Sequence, residues 1–321
     1  MPASLRITLC SALLLTAQGV WAQAFPSKPI RLIVPFATGG QSDIIARVMS
    51  QKLTESLKQS IVVDNRPAGS GTVGTETTVR ANPDGYTLGY ANVVTLAINK
   101  TLLPKQPYDP DKDLALIGQF LSTHNLLAVN PSLPVKSVRE LIALAQSKPG
   151  QVTYASSGVG TGPHLAAELF NAMARVRISG VPYKSSGMAQ IGLMSGEVQV
   201  MFPPAGSVVP HVRSGRVRLL AVSSLKPSPF FPGMPTAHES GVPGYEVTTV
   251  VALFAPAATP SGIVQKLNQE TAAILSRAEI RQRFFSESMD AGGGAPSVLA
   301  NTIQNETARF GKLIQDMGLR N

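Results

Sequence analysis

The chain has 321 residues, 44% of them hydrophobic, with a net charge of +9 and a single cysteine, Cys10. About 300 residues can bury sizeable cores and usually divide into two domains. Basic residues are scattered singly and aromatics are few, which argues for a solvated surface and against a nucleic-acid arm.

The first two dozen residues read as an export signal. Arg6 gives a small positive start, Ile7 to Val20 is mostly apolar, and two small-x-small boxes follow, Val20-Trp21-Ala22 and Ala22-Gln23-Ala24. That order is a secretory signal peptide, and the apolar run is short for a membrane span. Cys10 lies inside the signal, with Leu9 where a lipoprotein box needs a small residue. The mature chain is therefore expected outside the cytoplasm, without thiol, disulfide or cysteine metal site, and with a charge of about +8 once Arg6 is removed.

Strand-like and helix-like runs then alternate. A buried strand over Ile30 to Phe36 turns through Ala37-Thr38-Gly39-Gly40 into a helix over Ser42 to Leu57. Strands follow at Ile61–Val63 and Tyr86–Ala91, with a helical stretch from Gly74 to Arg80 between them. Leu126–Val129 is a strand, and Ser137 with Glu140 three residues on forms a capping box for a helix to Ser147. Val152–Ala155 leads through a glycine-rich loop into a helix over Pro163–Met173. Val198–Phe202, Val217–Val222 and Val247–Ala255 are further strands, and three helices close the chain. This alternation predicts parallel sheets with helices on both faces. Breaks are expected near Ser122–Leu126 and Gly241–Glu246.

Two loops are alike. Phe36-Ala37-Thr38-Gly39-Gly40-Gln41-Ser42-Asp43 and Ala155-Ser156-Ser157-Gly158-Val159-Gly160-Thr161-Gly162-Pro163-His164 each join a strand to a helix and are rich in glycine and hydroxyls. Ligands of open α/β sheets bind outside the carboxyl ends of strands, and free helix N–H groups favour an anion. Ordinary turns and caps are the bland alternative. Asp43 is expected to serve its own helix. Gly69-Ser70-Gly71-Thr72-Val73-Gly74 matches G-x-G-x-x-G, but the preceding strand ends too early and no acidic ribose partner follows, so a dinucleotide is not expected. The four histidines show no metal or H-E-x-x-H spacing, and no G-x-S-x-G occurs. No catalytic residue, metal or cofactor is expected.

The ordered set Pro26-Ser27-Lys28-Pro29-Ile30 to Phe36, Val63-Asp64-Asn65-Arg66-Pro67, Pro83-Asp84-Gly85-Tyr86, Tyr154-Ala155-Ser156-Ser157-Gly158, Val181-Pro182-Tyr183-Lys184 and Pro256-Ala257-Ala258-Thr259-Pro260 resembles the Bug-type receptors of tripartite tricarboxylate transporters. The resemblance spans nearly the whole mature chain. It implies a two-lobed periplasmic binding protein of Venus-flytrap form, α/β, each lobe a mainly parallel sheet flanked by helices. After a signal peptide at 1–24, residues 25–124 plus 247–321 would form one lobe and 125–246 the other. It also implies a ligand carboxylate held between the two loops, partly through water, and delivery to membrane transporter subunits by a monomer. Carried over, the ligand-binding residues are Phe36, Ala37, Thr38, Gly39, Gly40 and Ser42, with Ser156, Ser157, Gly158, Gly160, Thr161, His164 and Pro203. Two departures matter. Ala37-Thr38 replaces a proline-rich pair, and Pro203-Pro204 stands where many relatives place an aspartate, which argues against an amino-acid ligand. A mono- or dicarboxylate, aromatic ones included, is the expected ligand. The alternatives are a sensing subunit for a membrane kinase, an exported hydrolase, and a receptor for a neutral amide.

Overall fold

The computed structural model describes residues 25–39, 41–68, 71–102 and 106–316; the expected signal peptide lies outside them. The apolar run Ile-Arg-Leu-Ile-Val forms β1 (Ile30–Val34), ended by Pro35, which has no N–H to continue the ladder. α1 (Gln41–Leu57) returns to β2 (Ile61–Asn65), and α2 (Thr72–Val79) returns to β3 (Thr87–Asn92); β2 and β3 flank β1 in parallel. α3 (Val93–Leu102) follows β3 directly, its first turn capped by Asn92 Oδ1, which accepts from the Val94 N–H at 2.9 Å. β4 (Leu114–His124) is a long strand that the sequence reading did not anticipate.

Only Asn125 separates β4 from β5 (Leu126–Val129), which begins a second sheet. There, α4 (Val138–Ser147), β6 (Thr153–Ser156), α5 (Gly162–Ala174), β7 (Ser179–Pro182), α6 (Ser186–Ser195), β8 (Val200–Met201), α7 (Ala205–Arg213) and β9 (Arg218–Val222) follow. The capping box of α4 is present: Ser137 accepts from the Glu140 N–H and Glu140 Oε2 from the Lys136 N–H. β10 (Thr248–Pro256) returns the chain to the first sheet, followed by α8 (Ser261–Leu275), α9 (Ala278–Ser286), β11 (Asp290–Gly293) and α10 (Pro296–Asp316).

The strand orders are β11-β4-β10-β3-β1-β2 and β7-β6-β8-β5-β9. In the first sheet β1 to β4 run one way while β10 and β11 run the other. In the second only β5 opposes its neighbours. Strands β5 and β10, which enter their sheets from the junction, are thus antiparallel to the strand–helix series around them.

The junction is a small hydrogen-bonded knot. The Asn125 N–H donates to Val247 O at 3.2 Å, Val247 N–H to Ser223 O at 2.9 Å, and Ser223 N–H to Asn125 O at 2.9 Å. Behind it, α10 packs on α3 and β4, and its side chains enter two apolar clusters. Its Leu299 and Ile303 join a cluster with Ala252 and Phe254 of the first sheet, while Phe310 and Ile314 join the second lobe's core with Phe170, Phe202 and Tyr245. Val94 and Ile98 of α3 enter that same core. Each such buried side chain contributes about 1.5–3 kcal/mol. Apolar packing therefore ties the lobes together at the back and leaves their facing edges to form a cleft.

Candidate ligand-binding cleft

The cleft lies where the carboxyl ends of strands in both sheets meet. Its first-lobe wall is Phe36, Ser42, Ile45, Tyr90, Asn92 and Thr95; its second-lobe wall is Ser157, Thr161, Gly162, Pro163, Ser186 and Pro204. The floor comes from two register-matched strand pairs of β4 and β10, Leu121 with Val251 and Thr123 with Thr249. The enclosed space is about 80 Å³, lined among the described residues by no Asp, Glu, Lys, Arg or His.

Two helix N-termini reach this space, α1 through Ser42 and α5 through Thr161, Gly162 and Pro163. The first four N–H groups of a helix have no intrahelical acceptor, so both ends present donors and a partial positive charge. Asn92 of one lobe lies against Gly162 of the other: a Cβ at Gly162 would stand 3.5 Å from Asn92 Nδ2.

Asp43 sits in the first turn of α1 but is turned from the cleft. Its carboxylate accepts from the Gly39 N–H, Arg47 Nε and Asn65 Nδ2, each at 3.0 Å. Burial pushes its pKa up, but these hydrogen bonds, that of Arg47 foremost, outweigh burial and hold the carboxyl below the usual range. Asn65 Nδ2 also donates to Phe36 O at 3.0 Å, which fixes the start of the first loop.

The second loop is held by its own side chains. Thr161 Oγ1 donates to Gly158 O at 2.7 Å, and the Gly160 N–H donates to His164 Nδ1 at 3.4 Å. Burial holds the His164 pKa below its ordinary value against the opposing charge of Glu168. A neutral imidazole accepting a loop N–H braces the loop.

Among the residues expected to bind ligand, the structure brings Phe36, Ser42, Ser157 and Thr161 to the cleft. Ala37, Thr38 and Gly39 are exposed. Thr38 lines a separate, open groove of about 590 Å³ with Arg31, Val62, Asp64 and Asn65 along the outer strand β2. That groove's charges are spent internally: Arg31 and Arg66 both pair with Asp64. Gly40 lies outside the described residues. Ser156 is buried beneath the loop, its Oγ accepting from the Gly158 N–H at 3.4 Å. Gly158, Gly160 and His164 shape the loop behind the wall. Pro203 is buried with its carbonyl accepting from the Leu126 N–H, and Pro204, one residue on, faces the cleft instead.

Sequence reading missed Tyr90, Asn92, Thr95, Thr123, Thr249 and Val251. They lie on or just after strands that only the tertiary strand order brings together. In the G-x-G-x-x-G stretch, Gly74 serves packing: a Cβ there would stand 2.6 Å from Pro35 Cβ.

A cleft between two α/β sheets, floored by the strands that join them and walled by opposing helix N-termini, defines a two-lobed solute-binding protein. Residues 45–319 match the family of tripartite tricarboxylate transporter family receptors, and the chain belongs to that family. It is 36% identical over 318 residues to the UPF0065 protein of the tcbD-tcbE intergenic region of Pseudomonas sp. strain P51, covering 98% of this chain and 94% of the relative. It is 33% identical over 305 residues to BugT of Bordetella pertussis, covering 95% and 94%. Among solved structures, R. palustris Rpa4515 with adipate superposes with a TM-score of 0.88 at 34% identity, covering 92% of this chain and 98% of that one. MatC of Rhodopseudomonas palustris with bound malate gives 0.85 at 31%, covering 90% and 100%. Among the described residues no helix is long and apolar enough to cross a membrane, and no group of side chains could hold a metal ion.

Proposed function

We propose that this protein is an exported, periplasmic receptor that captures a small organic carboxylate in the interlobe cleft and presents it to a membrane transporter. The observation that carries this is the convergence of two helix N-termini, from α1 and α5, on one cleft whose described lining residues carry no charge. An anion placed there meets backbone and hydroxyl donors from both lobes, and so favours the closed arrangement by contacts the open one lacks. Family membership supports the transporter partner, and the adipate and malate in two similar structures support the ligand class. In this reading residues 1–24 are a cleaved signal, the two sheets and their helices move about the Asn125–Val247 junction, and no chemistry is performed.

The test is a thermal-shift screen of the mature chain against carboxylates, their primary amides and amino acids. A carboxylate at 100 times its dissociation constant adds about 2.7 kcal/mol of stability, a shift of a few degrees. Hits confined to amides or amino acids would reject the anion site. Turnover of ester substrates would reject the receptor reading.

A further inference from the structure

Tyr90 lines the cleft with 1% of its surface exposed, and among the described residues its hydroxyl has no hydrogen-bond partner. Ser42, in the first turn of α1, is its polar neighbour but lies outside hydrogen-bonding geometry. The ring is fixed by edge contacts to Phe36 and Phe120, at 6.4 and 6.1 Å between centroids. Burial raises the phenol's pKa, so the group stays protonated and can donate. A buried, orphaned donor is unfavourable, and a group that persists in this state beside a cleft is waiting for an acceptor from outside the chain.

The floor is different in kind. Thr123 Oγ1 already donates to Ser288 O at 2.8 Å, and Thr249 Oγ1 to Asn125 Oδ1 at 2.9 Å. Those two hydroxyls have spent their protons on Ser288 and Asn125 and show only lone pairs to a ligand. Beside them stand the apolar side chains of Leu121 and Val251, and Pro204 closes the opposite wall. A second carboxylate lying on this floor would be stripped of water beside acceptors and hydrocarbon, with no lysine or arginine among the described residues lining the cleft to meet it.

We propose that the cleft selects a monocarboxylate with an uncharged, largely apolar body, its carboxylate accepting from the Tyr90 hydroxyl at the α1 N-terminus, and that it discriminates against dicarboxylates. This rests on the carboxylate reading above. It sets the chain apart from the two similar structures that hold adipate and malate, both dicarboxylic.

Calorimetric titration of the mature chain with matched pairs tests it: butyrate against succinate, hexanoate against adipate, benzoate against terephthalate. The expected result is binding of at least one monocarboxylate about tenfold or more tighter than its dicarboxylate partner. Tyr90→Phe should weaken that monocarboxylate by about tenfold or more while raising the melting temperature of the ligand-free protein, because the orphaned hydroxyl is gone. A tyrosine that merely packs would not move the two readouts in opposite directions. A dicarboxylate that binds as tightly as its partner, or a Tyr90→Phe variant with unchanged affinity, overturns this inference and leaves the carboxylate reading standing. Binding of the corresponding amides with none of the six acids overturns both.

Discussion

Thr249 donates its hydroxyl to Asn125 Oδ1 at 2.9 Å, joining the two strands that pass between the lobes. Asn125 is fully buried, and its Nδ2 donates to Phe202 O at 2.8 Å, so one side chain holds both crossings and the second lobe's core. Replacing Thr249 with valine leaves Asn125 Oδ1 buried without its partner. The expected loss is about 1–3 kcal/mol of unfolding free energy. Asn125→Ala should lose at least as much, because it strands Phe202 O as well and opens a cavity. Urea denaturation of each variant measures the loss, and an unchanged midpoint for Thr249→Val would show that water replaces the hydroxyl.

Gly162 governs how closely the lobes approach. With a Cβ at 3.5 Å from Asn92 Nδ2, alanine makes an ordinary contact and should leave ligand affinity nearly unchanged. Leucine has no room in the closed cleft and acts as a wedge. If it reduces the closed population to a tenth, apparent affinity falls about tenfold. Titration together with the radius of gyration by X-ray scattering checks this: Gly162→Leu should be larger than wild type in ligand, and Gly162→Ala should not.

The lengths of chain with strong local patterning were legible in the sequence. The expected strand Ile30–Phe36 and helix Ser137–Ser147 carry their own signals, an apolar run and a capping box; the helix formed with Ser137 as its cap, and the strand formed over Ile30–Val34, cut short by Pro35. β4 was missed because Gln119, Ser122 and Thr123 interrupt its apolar residues, and its burial comes from β10 and β11 on either side. β11, Asp-Ala-Gly-Gly, has no strand propensity and exists through pairing with β4. The same division holds in the cleft. Phe36, Ser42, Ser157 and Thr161 sit on strand-to-helix loops whose composition announces them. Tyr90, Thr123, Thr249 and Val251 belong to strands far apart in sequence, and only the strand order β4-β10-β3 brings them to one face.

Acid should weaken the fold through two buried histidines. Burial holds both His124 and His164 below the ordinary histidine value of 6.5, against the nearby carboxylates Asp290 and Glu246 for the first and Glu168 for the second. In the unfolded chain both take up a proton near pH 6.5, whereas the folded chain resists. Their contribution to stability is therefore complete above about pH 6.5 and lost as pH falls through the lower folded-state values. The melting temperature should decline from about pH 6.5 downward. A His124→Gln, His164→Gln double variant should show a flatter curve over that range. An identical decline in the double variant would assign the effect to other groups.

The helix α10 fixes the mechanical limits of the protein. Its Leu299 and Ile303 join a cluster with the first sheet, and its Phe310 and Ile314, with Val94 and Ile98 of α3, belong to the cluster that holds the second lobe's core. Arg309 strengthens the strap at the junction, donating to Glu246 O at 2.9 Å and to Glu306 Oε2 at 2.8 Å. On the receptor reading proposed above, closure pivots about this helix, since sliding would strip apolar contacts from both clusters. Phe310→Ala should remove about 3–5 kcal/mol, the usual loss for a buried phenylalanine. Because Phe310 lies in the apolar cluster that holds the second lobe's core, the loss should appear as an earlier, separate unfolding of that lobe, visible as a second transition by calorimetry. Ile303→Ala, on the first-lobe half, should lower the transition of the first lobe instead. A single cooperative transition in both variants would mean that α3, through Val94 and Ile98, carries the coupling without α10.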